Sequence, residues 1–203
     1  MKLNRNPIIL INICFNNMKL NGNLYNPLGL IIIHTSIFNL KSFIGDNMAR
    51  KSFNEKLNDS KDMPKIIKIT DEKSIERYGG EDMLIAPPLE YNEIIAKVPE
   101  GKLITITEIR EFLAKKHNAE FTCPLTAGIF LSLAAQASEE RENDKIPFWR
   151  TLKKDGELNP KYSGGIEYQK EMLEKEGHSF TTKGRKNIRY FVENYQEKLF
   201  NLE

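Results

Sequence analysis

Cysteine is scarce in this chain, and the spacings that bind zinc are missing. The 203 residues hold two cysteines, Cys14 and Cys123, and three histidines, His34, His117 and His178. Two widely separated thiols make no disulfide framework. Beside a Lys/Glu-rich body they point to a reducing cytoplasm. No CxxC, HxH or HExxH spacing occurs, so no metal site and no cofactor is expected. Charge of one sign is also not in excess: 30 basic residues face 28 acidic ones. Residues 1–47 hold Lys2, Arg5, Lys19 and Lys41 against Asp46, which leaves 26 basic and 27 acidic residues in 48–203. A nucleic-acid contact therefore has to come from a local basic face, not from bulk charge.

A long apolar run is missing as well, although one stretch imitates it. Leu20 to Leu40 is an uncharged run of 21 residues, but it contains Asn21, Asn23, Asn26, Pro27, His34 and Asn39. Its apolar centre, Leu28 to Phe38, is shorter than the roughly 20 residues that a spanning helix needs. No small-residue cleavage site marks a secretory signal. Residues 1–47 contain ten Asn and almost no acid, and composition changes at Met48. The expectation is that 1–47 is a non-native or disordered extension and that Met48 is the start of the native protein. A membrane anchor ranks second and a secretory signal third, so no membrane partner is expected. Native protein that begins at Met1 by mass spectrometry would overturn the first reading.

What is present begins in earnest after residue 80. Residues 48–80 read as a polar arm, with Lys65–Ile69 as a short strand. Gly79-Gly80 breaks the chain, Met83–Ala86 is a short apolar lead-in, and Pro87-Pro88 suits a first helical turn. Leu89, Ile94, Ile95 and Val98 fall on one helical face. Thr105 with Glu108 forms a capping box, and Ile109, Phe112 and Leu113 continue an amphipathic helix to about Lys116. His117–Thr122 reads as a connector. Cys123-Pro124 then opens a second helix through Ala137, and the pair suggests a helix-turn-helix. Ile146–Leu152 has strand propensity. Ile166–Glu176 is a helix closed by Gly177, and residues 181–203 form a basic hairpin or tail.

The order of these motifs resembles the C-terminal domain of the alkylguanine-DNA alkyltransferases. The residues concerned are Val98-Pro-Glu-Gly-Lys102 with Thr105, Pro147-Phe-Trp-Arg150, Gly164-Gly165, Lys170, Leu173 and Glu176-Gly177. The resemblance covers roughly Leu84 to Phe180 and implies an α+β fold, a winged helix-turn-helix domain over 81–180. In that family a cysteine thiolate takes the alkyl group from a flipped-out guanine, activated by a neighbouring histidine and a distant glutamate. The corresponding positions here are Phe148, Trp149 and Glu176, a degenerate site with no nucleophile or base. The family's tyrosine and arginine finger fall at Ile106 and near Thr126. Loss of the nucleophile is shared with the alkyltransferase-like branch, which binds alkylated guanine without repairing it.

The reading is therefore of a non-catalytic DNA-binding protein in a repair context. Its expected partners are double-stranded DNA, with alkylated guanine in it, and excision-repair proteins. Residues assigned to DNA contact are Thr105, Thr126, Ser132, Gln136, Arg150, Lys153, Lys183, Arg185 and Lys186. Phe148 or Trp149 stacks on an extruded base, or both belong to the core. His117 and His178 are expected to be solvated. Cys123 is a capping or buried residue, with a relocated nucleophile as the weaker alternative. Two other readings remain open: a DNA-binding regulator without a lesion pocket, and a protein-interaction module.

Overall fold

The computed structural model describes residues 51–203. Residues 1–50, with the Leu20–Leu40 run and the Met48 boundary, lie outside the described residues. Residues 51–203 belong to one compact unit. It is α+β: six α-helices and seven short strands among the described residues.

The stretch read as a polar arm is folded onto the body. Helix α1 (Phe53–Asn58) starts at a Ser52–Glu55 capping box and buries Leu57. Glu140 accepts hydrogen bonds from the Phe53 and Asn54 N–H groups at 2.9 and 3.0 Å. A carboxylate there satisfies the orphan donors of a helix start. Strand β1 (Lys65–Lys68) pairs antiparallel with β2 (Asp82–Ile85), and α2 (Glu72–Tyr78) lies between them in the chain. Six- and seven-residue helices are too short for an apolar period to show in the sequence.

Helix α3 (Pro88–Ala96) begins with proline at its first position and buries Tyr91, Ile94 and Ile95. Leu89, expected on that face, is exposed, and Tyr91 occupies its place in the core. After β3 (Ile104–Thr105), Thr105 caps α4 (Ile106–Lys116). The Thr107 N–H donates to Thr105 Oγ1 at 3.2 Å, and Glu108 accepts from the Thr105 N–H at 2.8 Å. The connector contains a strand, β4 (Phe121–Thr122), which pairs parallel with β2. Helix α5 (Pro124–Glu139) follows with Pro124 at its first position. Helices α4 and α5 pack on each other and form the expected helix-turn-helix, joined by residues 117–123.

The segment read as a strand over Ile146–Leu152 is mostly something else. Phe148–Arg150 is a 3-10 turn, and only Thr151–Leu152 is a strand, β5, parallel to β3. The reason is Gln169, fully buried on α6 (Gly165–Lys175). Its Nε2 donates to the Trp149 carbonyl at 2.9 Å and to the Thr151 carbonyl at 3.1 Å. Its Oε1 accepts from the Asn159 N–H at 2.7 Å. The contact at Trp149 takes a carbonyl that an extended strand would offer to a neighbour. Gly164 precedes α6 at φ +76°, and a Cβ there would lie 2.5 Å from Tyr168 Cβ.

Strands β6 (Phe180–Lys183) and β7 (Arg189–Val192) form an antiparallel hairpin. The C-terminal tail then runs beside Leu103, whose N–H donates to the Lys198 carbonyl at 2.9 Å. Two apolar clusters result. The larger lies among α1, α3, α4 and α5; the smaller holds Leu103, Leu152, Leu158, Leu173 and Val192. Trp149 packs against both. No helix of the described residues is long and apolar enough to cross a membrane.

Candidate nucleic-acid interface

Three of the motif segments that lie far apart in sequence meet at one carboxylate. Glu176, at the end of α6, has 7% side-chain exposure. It accepts from Trp149 Nε1 at 2.7 Å and from Arg150 Nε at 2.9 and 3.0 Å. It also accepts from the Gly101 N–H at 3.2 Å. Arg150 Nη2 lies 2.9 Å from the same carboxylate, and Arg150 Nη1 donates to the Val98 carbonyl at 2.7 Å. The 98–101 turn, the Phe148–Arg150 turn and the end of α6 are thereby tied together. Burial alone would raise the Glu176 pKa, but the hydrogen bonds from Arg150, Trp149 and Gly101 outweigh it and hold the carboxyl below its ordinary value.

This network corrects one assignment outright. Arg150 does not face a phosphate: its guanidinium is spent on Glu176 and Val98, with 13% of the side chain exposed. Thr105 is also removed from the surface. It is buried, and its hydroxyl is occupied by the α4 cap and by Glu108.

Phe148, which the motif resemblance sets at the alkyltransferase cysteine, is sealed. Phe148 is 2% exposed. Its ring lies 5.6 Å from Tyr162, 5.7 Å from Trp149 and 5.9 Å from Tyr168, the last in a stacked arrangement. These are ordinary separations for aromatic packing. Phe148 therefore belongs to the core. Trp149 is half-buried, with its N–H on Glu176, its edge against Tyr168 and Arg150 beside its ring. Cys123 is buried as well and heads α5 without a side-chain cap, as the capping or buried reading had it.

The outward face of α5 carries no basic residue, and its one charged group is the exposed Glu139 at the C-terminal end. Leu125, Ile129, Ser132 and Gln136 recur at spacings of four, three and four residues, which places them on one stripe. Ile129 is 54% exposed and Leu125 37%. Ser132 and Gln136 are half-buried, and Ser132 returns its hydroxyl to the Gly128 carbonyl at 3.0 Å. Thr126 lies on the flank of the stripe, its hydroxyl donating to the Cys123 carbonyl at 3.3 Å. Gly128 sits beside the stripe with nothing within 4 Å of where a Cβ would be. Leu125, Ile129 and Gly128 were not singled out in the sequence. The signal was present, since the helix is apolar on more than one side.

The remaining sequence-based assignments divide by whether the charge is free. Lys153 pairs with Glu157 at 2.8 Å. Lys183, Arg185 and Lys186 stand exposed around the β6–β7 hairpin. Neither histidine is solvated. His117 Nε2 lies 2.9 and 3.0 Å from the Glu90 carboxylate oxygens. His178 is buried and its Nε2 has no hydrogen-bond partner among the described residues. Burial lowers its pKa, and nearby Lys198 and Arg150 lower it further against the opposite pull of Glu176. Among the described residues no group of three His, Cys, Asp or Glu side chains is placed to hold a metal ion.

No protein-family model and no curated protein matches this chain. Among solved structures, the chain is similar to S. pombe Atl1 in complex with damaged DNA containing O6-carboxymethylguanine. That likeness has 21% identity over 57% of this chain and 94% of that chain, with a TM-score of 0.40. It is also similar to S. pombe ATL in complex with DNA, at 20% identity, the same coverage and a TM-score of 0.39.

Proposed function

We propose that this protein binds duplex DNA without chemistry and favours duplexes that carry an alkylated guanine. The observation that carries the reading is the outward stripe of α5, the second helix of a helix-turn-helix. It offers Leu125, Ile129, Ser132 and Gln136 with the open Gly128 beside them. Apolar side chains of this size are the wedges that unstack a base step in a narrow groove. A bare glycine lets a backbone approach closely. Thr126, Ser132 and Gln136 supply hydrogen-bonding groups at the same surface, and Lys153 lies on a different element.

The alkyl-guanine preference rests on the motif order that resembles the alkyltransferases. Glu176 draws three of those motif segments into one network. Phe148 and Trp149 supply neither a nucleophile nor a base, so bound DNA leaves unaltered. A protein that marks a lesion without removing it needs an excision system to finish the work, and that system is the proposed protein partner. A cytoplasmic setting agrees with the free thiol at Cys123.

The test is an anisotropy titration of two duplexes that differ by one O6-methylguanine. Tighter binding to the methylated duplex, lost in Leu125→Ser/Ile129→Ser, is the expected result. Equal binding to both would replace the lesion reader with a general DNA-binding regulator.

A further inference from the structure

We propose that the β6–β7 hairpin is a phosphate clamp, and that it supplies the charge neutralisation which α5 lacks. The inference rests on the DNA-binding reading above and divides the labour within it. Helix α5 discriminates, and the hairpin holds the phosphodiester backbone of the same duplex.

The hairpin lies at the edge of the family resemblance and extends past it. Its ladder pairs Phe180 with Val192 and ends at Lys183 opposite Arg189. The turn between them, residues 184–188, is closed by Gly184 at φ +106°. A Cβ there would meet the Asn187 carbonyl oxygen at 2.3 Å. The tip is thus a built turn. From Phe180 to Arg189 the sequence holds Lys183, Arg185, Lys186 and Arg189 and no acid. The rest of residues 48–203 then carries 22 basic residues against 27 acidic ones. The tip is a concentrated positive feature on an otherwise acidic body.

The charges are positioned and available. Lys183 Nζ sits 4.5 Å from the Phe191 ring centroid, and Arg189 lies over the same ring at 5.4 Å. Arg189 also touches Glu157 at 3.4 Å. Beyond them, Arg185 and Lys186 are exposed and form no ion pair among the described residues. Elsewhere Lys116 pairs with Glu90, Lys153 with Glu157 and Lys175 with Glu171, while Lys97, Lys115 and Lys161 are exposed without an ion pair among the described residues but are not clustered as the tip charges are. Ile188, 53% exposed between Lys186 and Arg189, gives the tip an apolar contact.

The experiment titrates the full chain against the methylated and unmodified duplexes over a range of salt. It is repeated with Arg185→Ala/Lys186→Ala and with the charge-preserving Arg185→Lys/Lys186→Arg. Each phosphate neutralised adds about 0.9 to the slope of log affinity against log salt. The alanine pair should lower that slope by about 2 and weaken both duplexes by the same factor. The ratio between the duplexes should stay at its wild-type value, and the charge-preserving pair should keep the wild-type slope. An unchanged slope in the alanine pair, with wild type still binding, overturns the clamp and leaves the DNA reading standing. A changed ratio with an unchanged slope overturns it too. Failure of wild type to bind either duplex removes both.

Discussion

Trp149 and Glu176 are joined by an indole N–H donating to a carboxylate oxygen at 2.7 Å, across 27 positions of sequence. Arg150 shares that carboxylate. Trp149, which the motif resemblance sets at the alkyltransferase histidine, therefore serves as a structural tie. Glu176→Gln would leave the Arg150 guanidinium buried without its counter-charge. Loss of one partner of such a pair costs about 3–5 kcal/mol. The urea midpoint should fall accordingly, and Arg150→Leu/Glu176→Leu should recover part of the loss. A midpoint unchanged in the single variant would mean that the tie is ornamental.

Phe148 should behave as core, not as a stacking platform. It is enclosed by Trp149, Tyr162 and Tyr168. Phe148→Ala should cost about 3–5 kcal/mol of stability, as large-to-small changes in aromatic cores do. A variant that stays as stable as wild type but loses lesion preference would put the ring in the binding site after all.

Gly128 separates stability from function. It sits inside α5 with open space where a side chain would go. Gly128→Ala should stabilise the protein by about 0.5–1 kcal/mol through helix propensity. The same methyl group should weaken duplex binding by holding the helix away from the groove. Thermal melts and anisotropy read the two effects independently, and stabilisation with undiminished binding would remove α5 from the interface.

Acid should lower the protein's stability over two pH windows. His178 has its pKa lowered from 6.5 by burial. The unfolded chain therefore takes up that proton first, and stability falls as pH drops below about 6.5. Glu176 is held below 4.5 when folded. Its contribution is complete above that value and is lost as pH falls through the folded value. In denaturation midpoints measured from pH 8 to 3, His178→Gln should flatten the fall in the upper window. Glu176→Gln should flatten the lower fall and deepen the upper one, because it also removes the carboxylate that raises the His178 pKa.

Much of this was legible in the sequence, and the gaps have physical causes. The Thr105–Glu108 cap, Pro124 at the start of α5 and Gly177 after α6 each announce a helix end by local chemistry, and the structure places them so. The 3-10 turn at Phe148–Arg150 was not legible, because it depends on Gln169 reaching over from α6. A polar residue at i+3 from Ile166 and i−4 from Leu173, on an otherwise apolar face, was the available hint. Arg150 looked free for the same reason: its partner lies 26 residues away, and only the fold brings them together. His117 and His178 gain their surroundings from α3 and from the Arg150–Glu176 network, neither of which local sequence reveals.

The account turns on binding without transfer, and one mixture tests both halves. The full chain would be titrated with a duplex carrying one O6-methylguanine, and the masses of protein and DNA would then be recorded at saturation. The account predicts tighter binding than to the unmodified duplex, with both masses unchanged. A protein heavier by one methylene unit, with guanine restored in the DNA, would contradict it, and so would equal affinity for the two duplexes.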